Sequence, residues 1–319
     1  MEYKKIAGID KPVSRLIYGT SSKVGEGDVS AAMEILDLAW ENGFRMFDTA
    51  HAYGKAEETF GKWITKSGHR EELIILDKGC NSSEKGSKDV FSAQTIREQV
   101  KMSLERLQTD HVEFYILHRD DPSRPVDEIV EVLNELKDRG CIQQFGGSNW
   151  QKYRIEEANK YAAEHGLAGF SACSPAYSLA RYVNDPWGGS VTISGDENIE
   201  FRNWLIENQM PVFNYSSLAR GFMSGKFKSD GRKKIEECIG AGSIAEYYFP
   251  ENVERLKRAE QMAEQKNCTV PQIALAWLLS QKLNLFPIVT PNGEEHVKEV
   301  VDSLKLTLTE NEIEWLVKG

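Results

Sequence analysis

The sequence predicts an α/β fold, a (β/α)8 or TIM barrel with long loops at its C-terminal face. The main observation is that strand-like and helix-like segments alternate eight times along the 319 residues. A parallel sheet needs helical crossovers between its strands, and eight such units can close the sheet on itself. No linker-like stretch interrupts the alternation, so we expect residues 1–319 to form a single barrel domain.

A second observation separates the barrel from its main rival, an open doubly wound sheet. Sheets of that kind that bind dinucleotides carry a G-x-G-x-x-G turn after a strand. Gly25-Glu26-Gly27 begins this pattern, but Ser30 stands where the third glycine belongs. The sequence therefore favours the barrel.

The eight predicted strands are short apolar runs that end in small or polar residues. Continuous apolar runs such as residues 73–76, which precede Asp77-Lys78-Gly79, are typical of parallel strands that helices cover on both faces. In chain order, the predicted strands are 13–20, 44–49, 73–76, 112–117, 142–147, 170–174, 212–215 and 286–289.

The predicted helices follow from apolar residues at helical spacing. After Asp28, an expected N-cap, Ala32, Ile35, Leu36 and Ala39 recur at i, i+3, i+4 and i+7. Further helices are predicted over 56–66, from 92 through 107, from 129 to a stop at 140, and over 152–165, 198–208, 253–265, 269–281, 294–303 and 309–317.

Two connections are longer than ordinary loops. They are residues 181–196, which include Trp187, and residues 226–250, which include the aromatic run 247–249. Loops this long in a compact barrel are usually the walls or lids of a pocket, although a mobile surface excursion is the alternative. Their aromatic residues suit an apolar pocket or one that stacks on sugars.

Composition and charge exclude several classes of function. The formal net charge is −10 and the densest basic run, at residues 232–234, is short, which argues against a nucleic-acid partner. No apolar run approaches the roughly 20 residues that span a bilayer, and the N-terminus has no apolar signal segment. We expect a cytoplasmic protein. The five cysteines show no metal-ligand spacing, so reduced cysteines in packing positions are expected.

Polar side chains stand at the ends of three consecutive predicted strands. Asp48 ends the second strand, Lys78 follows the third, His118 follows the fourth, and Tyr53 lies in the loop just after Asp48. Because the C-terminal ends of barrel strands meet at one mouth, we expect these four side chains to converge. Singly, each suits a structural role, such as an ion pair or a packed ring, but the combination is improbable by coincidence.

The combination has a chemical logic. A phenol with a pKa of about 10 is a poor acid at neutral pH, and a neighbouring ammonium stabilises the phenolate and lowers that pKa. Lys78 would therefore tune Tyr53 as a proton donor, and Asp48 would hold Lys78 in place. His118 would hydrogen-bond the substrate carbonyl or relay a proton.

Several motifs in the same order resemble the aldo-keto reductase family along nearly the whole chain. The first is Phe47-Asp48-Thr49-Ala50-x-x-Tyr53-Gly54 with Glu57, which is similar to the strand-two signature of that family. Lys78 and Leu117-His118 resemble its catalytic lysine and histidine. Gly146-Gly147-Ser148-Asn149-Trp150 and the segment 214–221 resemble its strand-five signature and its strand-seven loop.

The resemblance implies reduction of an aldehyde or ketone to an alcohol with NADPH or NADH, and the aromatic residues of the long loops suit a sugar or aromatic carbonyl. Tyr53 would donate the proton, and the cofactor would lie extended across the barrel mouth. It also implies the cofactor contacts, which are Gly19, Thr20, Ser148, Asn149, Ser174, Tyr215, Ser216, Leu218, Gly221, Thr290, Asn292 and His296. Among them, Ser148 and Asn149 would bind the carboxamide, Tyr215 would stack on the nicotinamide, and the 216–221 loop would line the pyrophosphate.

The sequence departs from the family pattern in two places. Ser174 stands where the family has a carboxamide-binding glutamine. After the eighth strand, Glu294 and Glu295 stand near the place where many relatives bind a 2′-phosphate with a cation, although His296 or Lys298 could supply one. NADP(H) is slightly favoured over NAD(H) on family grounds.

Two other functions remain open. Lys78 could form a Schiff base in a lyase or aldolase, since a desolvated lysine at a strand end suits that chemistry. Alternatively, the chain could be a cofactor-binding regulatory subunit with little turnover. No metal is expected, and Asp120 and Asp121 beside His118 are expected to be solvated loop carboxylates. The sequence does not predict the substrate or the oligomeric state.

Overall fold

A computed structural model describes residues 1–81, 89–185 and 188–319, and the chain divides into two compact units, Met1–Ser174 and Pro175–Gly319. The first unit begins with an antiparallel hairpin of β1 (Tyr3–Ile6) and β2 (Ile9–Ser14), followed by β3 (Ile17–Gly19). The single strand predicted at 13–20 is therefore wrong. Ser14 explains the break, because its hydroxyl donates to the Leu16 carbonyl at 2.8 Å and accepts from the Arg45 and Met46 amides.

A parallel sheet forms the centre of the first unit. It contains β3, β4 (Met46–Asp48), β5 (Ile74–Gly79), β6 (Val112–Leu117), β7 (Ile142–Ser148) and β8 (Ala172–Ser174), paired in chain order. In register, Asp48 lies opposite Leu76, and Lys78 lies opposite Ile116. All residues of β4, β5 and β6 are buried, as expected for strands covered on both faces.

Among the residues that the structure describes, six α-helices accompany this sheet. They are α1 (Lys23–Glu26), α2 (Val29–Glu41), α3 (Ala56–Ser67), α4 (Ala93–Leu107), α5 (Asp127–Asp138) and α6 (Lys152–His165). The predicted cap of α2 is confirmed, since the Asp28 carboxylate accepts from the amides of Ser30 and Ala31. The four apolar residues predicted for one face of α2 are all buried. Helix α1 was not predicted.

The second unit contains short parallel contacts in place of long strands. The Phe286 amide donates to the Val212 carbonyl at 2.8 Å, and the Ile288 amide donates to the Asn214 carbonyl at 3.0 Å. These bonds show that the predicted strands 212–215 and 286–289 lie side by side. Of the two, only 286–289 contains a regular strand, β9 (Ile288–Val289). The helices are α7 (Ile199–Asn208), α8 (Ala241–Tyr247), α9 (Pro250–Gln265), α10 (Val270–Leu279), α11 (Glu294–Asp302) and α12 (Glu310–Lys318).

The two long connections of the second unit are fastened to each other. The Asn252 side chain is fully buried, accepts from the Arg181 amide at 2.7 Å, and donates to the carbonyls of Arg181 and Tyr247. The 226–250 connection, predicted as a long loop, contains the short helix α8, which was not predicted. Tyr247 is buried and Tyr248 is 45% exposed, whereas Trp187 lies outside the described residues.

Within the described ranges, no helix has the length and apolar character needed to cross a bilayer. All five cysteines are in described positions and are free thiols, of which Cys80 and Cys173 are buried.

Candidate active site

A buried ion pair forms the charged centre of the first unit. The Lys78 ammonium on β5 donates to the carboxylate of Asp48 at the end of β4. The same ammonium donates to the Thr49 carbonyl at 3.3 Å and to the Tyr53 hydroxyl oxygen at 3.4 Å. The Lys78 and Asp48 side chains are 3% and 4% exposed, so water screens their attraction little. Three of the four predicted catalytic residues are in direct contact.

The loop after β4 presents Tyr53. The His51 amide donates to the Lys78 carbonyl at 2.8 Å, which fastens this loop to β5. On the other side, the loop packs against Gly25, where an added Cβ would lie 2.6 Å from the Tyr53 carbonyl oxygen. The sequence presented Gly25 only as the start of an incomplete motif. Position 25 requires glycine because two stretches of backbone approach each other closely there.

His118 lies next to Tyr53. Its ring meets the Tyr53 ring edge-on, with centroids 5.6 Å apart, and its amide continues the β6 ladder by donating to the Gly79 carbonyl at 2.7 Å. Among the described residues, no atom hydrogen-bonds the buried Nδ1 of His118. Burial lowers the pKa of His118 well below its usual range, and the positive charges of Lys78 and Arg119 lower it further. The imidazole is therefore neutral at neutral pH.

The pKa values of Tyr53 and Lys78 are both raised, but for different reasons. Burial raises the pKa of Tyr53, and Lys78 opposes this without reversing it. The expected lowering by Lys78 is thus present, but desolvation outweighs it. For Lys78, burial favours the neutral amine, but Asp48 and Tyr53 reverse that preference and raise the pKa of Lys78. At neutral pH, Tyr53 keeps its proton and Lys78 is charged.

The predicted cofactor residues of the first unit lie at the same ends of its strands. Gly19 ends β3, and the Thr20 amide after it donates to the Asp48 carbonyl at 2.9 Å. Ser148 ends β7 and donates through Oγ to the carbonyl of Ser174, which ends β8, at 2.8 Å. Asn149 follows in a left-handed conformation with φ 61°. These five residues therefore share one edge of the sheet with Asp48 and Lys78.

The predicted pyrophosphate loop of the second unit has an unusual backbone. Four of its residues have positive φ, namely Ser216 (54°), Ala219 (50°), Arg220 (49°) and Gly221 (93°). Left-handed residues in such close succession turn successive amides in ways that can form a concave anion site. One predicted donor is engaged within the loop, because the Gly221 amide donates to the Leu218 carbonyl at 3.0 Å. Tyr215 precedes this loop and is half-buried.

The predicted cofactor residues after β9 are exposed. They are Thr290, Asn292 and His296, and Gly293 is the N-cap of α11 with φ 120°. Lys298 is not an isolated cation, because it pairs with Glu294 one turn earlier in the same helix.

The expectation for the two carboxylates beside His118 is half wrong. Asp121 has a side chain that is 39% exposed, but the Asp120 side chain is only 6% exposed. Asp120 accepts from Nε and Nη2 of Arg154 at 3.0 and 3.2 Å. Sequence reasoning missed Arg154, which lies in the first turn of α6 and is 2% exposed. An arginine that follows the motif 146–150 by four residues was the only available signal.

Comparison with known proteins assigns the family. The model of the aldo/keto reductase family matches residues 15–318. An uncharacterized oxidoreductase of Bacillus subtilis, YrpG, is 26% identical over 97% of this chain and 92% of its own length. Norsolorinic acid reductase A of Aspergillus parasiticus is 28% identical over 94% and 76%. A probable voltage-gated potassium channel subunit beta of Arabidopsis thaliana is 28% identical over 96% and 90%.

A solved structure shows the same fold. It is a thermostable aldo-keto reductase, Tm1743, crystallised with the inhibitor epalrestat, and it aligns with a TM-score of 0.73 over 99% of this chain and 98% of its own, at 22% identity. The predicted (β/α)8 fold class is confirmed.

Proposed function

The chain belongs to the aldo/keto reductase family, and from this premise we propose that it reduces an aldehyde or ketone to an alcohol with NADPH or NADH. Bound nicotinamide would supply the hydride. The residues of this chain would bind and orient the carbonyl and deliver the proton. Sugar and aromatic carbonyls are the candidate substrates.

One observation carries the proposal, namely the contact between the Lys78 ammonium and the oxygen of the Tyr53 hydroxyl. Because Lys78 is the donor in this bond, the hydrogen of the phenol stays available to a substrate oxygen. The ammonium also lies where negative charge would develop on the phenolate as the proton leaves. Asp48 would keep Lys78 charged and fixed throughout.

His118 would act on the same substrate oxygen. A neutral imidazole can donate one hydrogen bond without carrying charge, and the low pKa of His118 supports that form. The carbonyl would then receive a hydrogen bond from His118 and a proton from Tyr53, whose rings meet edge-on. This division of roles needs no second titrating acid.

The residues present fit a nicotinamide cofactor. In the first unit, Ser148 and Asn149 would hold the carboxamide, Ser174 would lie beside them, and Gly19 and Thr20 would approach the cofactor from β3. In the second unit, Tyr215 would stack on the ring. The four residues with positive φ between positions 216 and 221 support a pyrophosphate site, which Ser216, Leu218 and Gly221 would line.

The choice of nucleotide rests on the segment after β9. We keep NADP(H) as the favoured cofactor, with Thr290, Asn292 and His296 as its contacts. Glu294 and Glu295 in the first turn of α11 oppose a 2′-phosphate, and Lys298 is paired with Glu294. We therefore expect only a small preference for NADPH over NADH.

The test is a binding measurement followed by an activity screen. Each nucleotide is titrated by fluorescence, and both are then offered with a panel of aldehydes, ketones and sugars while absorbance at the nicotinamide band is followed. Binding with turnover of at least one carbonyl is expected. If neither nucleotide binds, the proposed function is wrong.

A second candidate is a cofactor-binding regulatory subunit. The similarity to a probable potassium channel subunit beta favours it. This candidate predicts tight nucleotide binding without oxidation of the nucleotide by any carbonyl in the panel.

The Schiff-base lyase is less well supported. A lysine nucleophile must lose its proton, but Asp48 raises the pKa of Lys78 and holds the ammonium in an ion pair. Trapping of a ketone on Lys78 by borohydride, without any nucleotide, would restore this alternative.

We place the reductase in the cytoplasm, acting on small molecules and without a metal.

A further inference from the structure

The position of the His118 ring depends on its backbone. Within the described part of the chain, no side chain hydrogen-bonds Nδ1 of His118, and the ring packs edge-on against Tyr53. A ring without a hydrogen-bonded orienting partner is placed by its own Cα and by packing. Whatever holds the backbone at this point therefore sets the direction of the imidazole.

Three side chains from one short segment hold that backbone. Asn149 donates through Nδ2 to the His118 carbonyl at 3.0 Å, and Trp150 donates through Nε1 to the Arg119 carbonyl at 2.8 Å. Arg154 donates two hydrogen bonds to the carboxylate of Asp120. Residues 118, 119 and 120, which follow β6, are thus each held by a side chain of the segment 149–154, which runs from the end of β7 into α6.

Arg154 is the strongest of these anchors. Its Nη2 also donates to the Arg124 carbonyl at 3.0 Å, and its Nη1 donates to Glu157 at 2.8 Å, so every guanidinium nitrogen has a partner. The guanidinium carbon also lies 5.2 Å from the centre of the Trp150 ring. A planar fork with this many fixed partners restricts the 118–124 loop more than a single ammonium could.

Resting on the proposed function, we propose that Arg154 is a positioning residue of the reductase site. Through Asp120 and the Arg124 carbonyl, it holds residues 118–120 so that the His118 ring meets the carbonyl oxygen of the substrate. Arg154 itself touches neither substrate nor cofactor. Its contribution is therefore to geometry, to which rates are sensitive even when the shift is about 1 Å.

The test compares Arg154→Met with a matched control, Arg70→Met. Arg70 also uses all of its guanidinium nitrogens, on Thr109, the His111 carbonyl and the buried Glu113, but it serves the opposite end of β6. Both variants should lose stability. Only Arg154→Met should lower kcat, by roughly 10–100-fold, with nucleotide Kd within about threefold of the wild type. Arg154→Lys should restore part of kcat.

A second measurement does not depend on turnover. The ring resonance of His118 in a carbon-13 NMR spectrum, assigned by its loss in His118→Asn, should shift in Arg154→Met and stay in place in Arg70→Met. An unmoved resonance, or kcat losses that are equal in the two methionine variants, overturns the positioning role. If the wild type reduces no carbonyl, the proposed function is wrong, and the resonance alone decides whether Arg154 holds His118.

Discussion

Tyr53 illustrates how a single side chain depends on two opposing effects. Burial raises the pKa of the phenol, and the Lys78 ammonium opposes that rise. The net direction keeps the proton on Tyr53 at neutral pH, as a proton donor requires. Lys78 matters most once the proton has left, because it lies 3.4 Å from the oxygen on which the charge appears.

The first prediction concerns the Tyr53 hydroxyl. Tyr53→Phe should lower kcat for carbonyl reduction by about 10²–10⁴-fold, the usual contribution of general acid catalysis. Nucleotide affinity, measured by fluorescence titration, should stay within about twofold of the wild type, because the phenol acts on the substrate. Tyr161→Phe is the control, because it makes the same change on α6, where the half-buried Tyr161 donates its hydroxyl to Glu131. Equal losses of affinity and turnover would make Tyr53 a structural residue.

The second prediction concerns the ion pair behind it. Lys78→Met leaves the Asp48 carboxylate buried without its partner, which typically costs about 3–5 kcal/mol of stability. Asp48→Asn in the same chain removes the stranded charge, so the double variant should recover much of that loss. Denaturant unfolding measures the cycle. Additive losses would mean that the two side chains do not interact.

At the scale of elements, the N-terminal ends of β5 and β6 carry a second buried charge cluster. Glu113 on β6 is fully buried and accepts from Lys11 at 2.7 Å, from Arg70 at 3.0 Å and from the Ile75 amide at 2.7 Å. It thereby joins the N-terminal hairpin, β5 and β6. Burial alone would raise the pKa of Glu113, but His111, Arg70 and the other donors together lower it to about 2.

The third prediction follows from that pKa. A folded-state pKa below the ordinary value of 4.5 contributes stability above pH 4.5 that is lost as the pH falls toward about 2. The shift corresponds to about 3 kcal/mol. Glu113→Gln should therefore lose about that much at pH 7 and progressively less toward pH 2, as measured by urea unfolding. Glu98→Gln, on the exposed face of α4, is the control. A loss that does not change with pH would contradict the linkage.

The fourth prediction concerns the contact between α3 and α4. A Cβ added at Gly61 would lie 2.2 Å from the Arg106 carbonyl oxygen, and backbone cannot move aside as a flexible side chain can. The clash in Gly61→Ala should cost about 1–3 kcal/mol. Alanine gains roughly 1 kcal/mol in helix propensity over glycine, so the net effect should be destabilising. Gly240, the N-cap of α8, has open space and a negative φ, so the cap loss and the reduced unfolded-chain entropy oppose each other and Gly240→Ala should change stability by about 1 kcal/mol or less. Thermal unfolding compares the two.

For the whole molecule, we predict how many independently folding domains the chain contains. Two compact units, Met1–Ser174 and Pro175–Gly319, divide the chain, whereas the family model covers residues 15–318 without a break. We propose that residues 1–319 fold as one barrel domain.

The fifth prediction tests that proposal. Fragments 1–174 and 175–319 should each fail to fold when expressed alone, because the proposed barrel can close its sheet only when all of its strands are present, and an open sheet leaves strand edges unpaired. Circular dichroism and proteolysis of the separate fragments measure this. A first fragment that unfolds cooperatively by itself would show two independent domains.

Much of the fold could be predicted because its signals are local. The helix cap at Asp28 and the buried face of α2 follow from spacing within one element. The N-terminal hairpin was missed, although Gly8, with φ 78°, marks its turn. Its two strands are too short and polar for periodicity to reveal, and their pairing is a contact between segments. Helix α8 was missed for a similar reason, since Glu246 within it is held by Arg220, 26 residues away.

The fold class and the types of side chain at the strand ends follow from the sequence alone, because the alternating pattern and the parallel strands bring Asp48, Lys78 and His118 to one edge. Which atoms pair, and which groups keep their protons, depends instead on tertiary contacts. Asp120 was expected in solvent, yet Arg154, 34 residues later, buries it. Desolvation reverses the expected pKa direction of Tyr53. Both outcomes depend on burial and on contacts between distant segments, which local spacing does not encode.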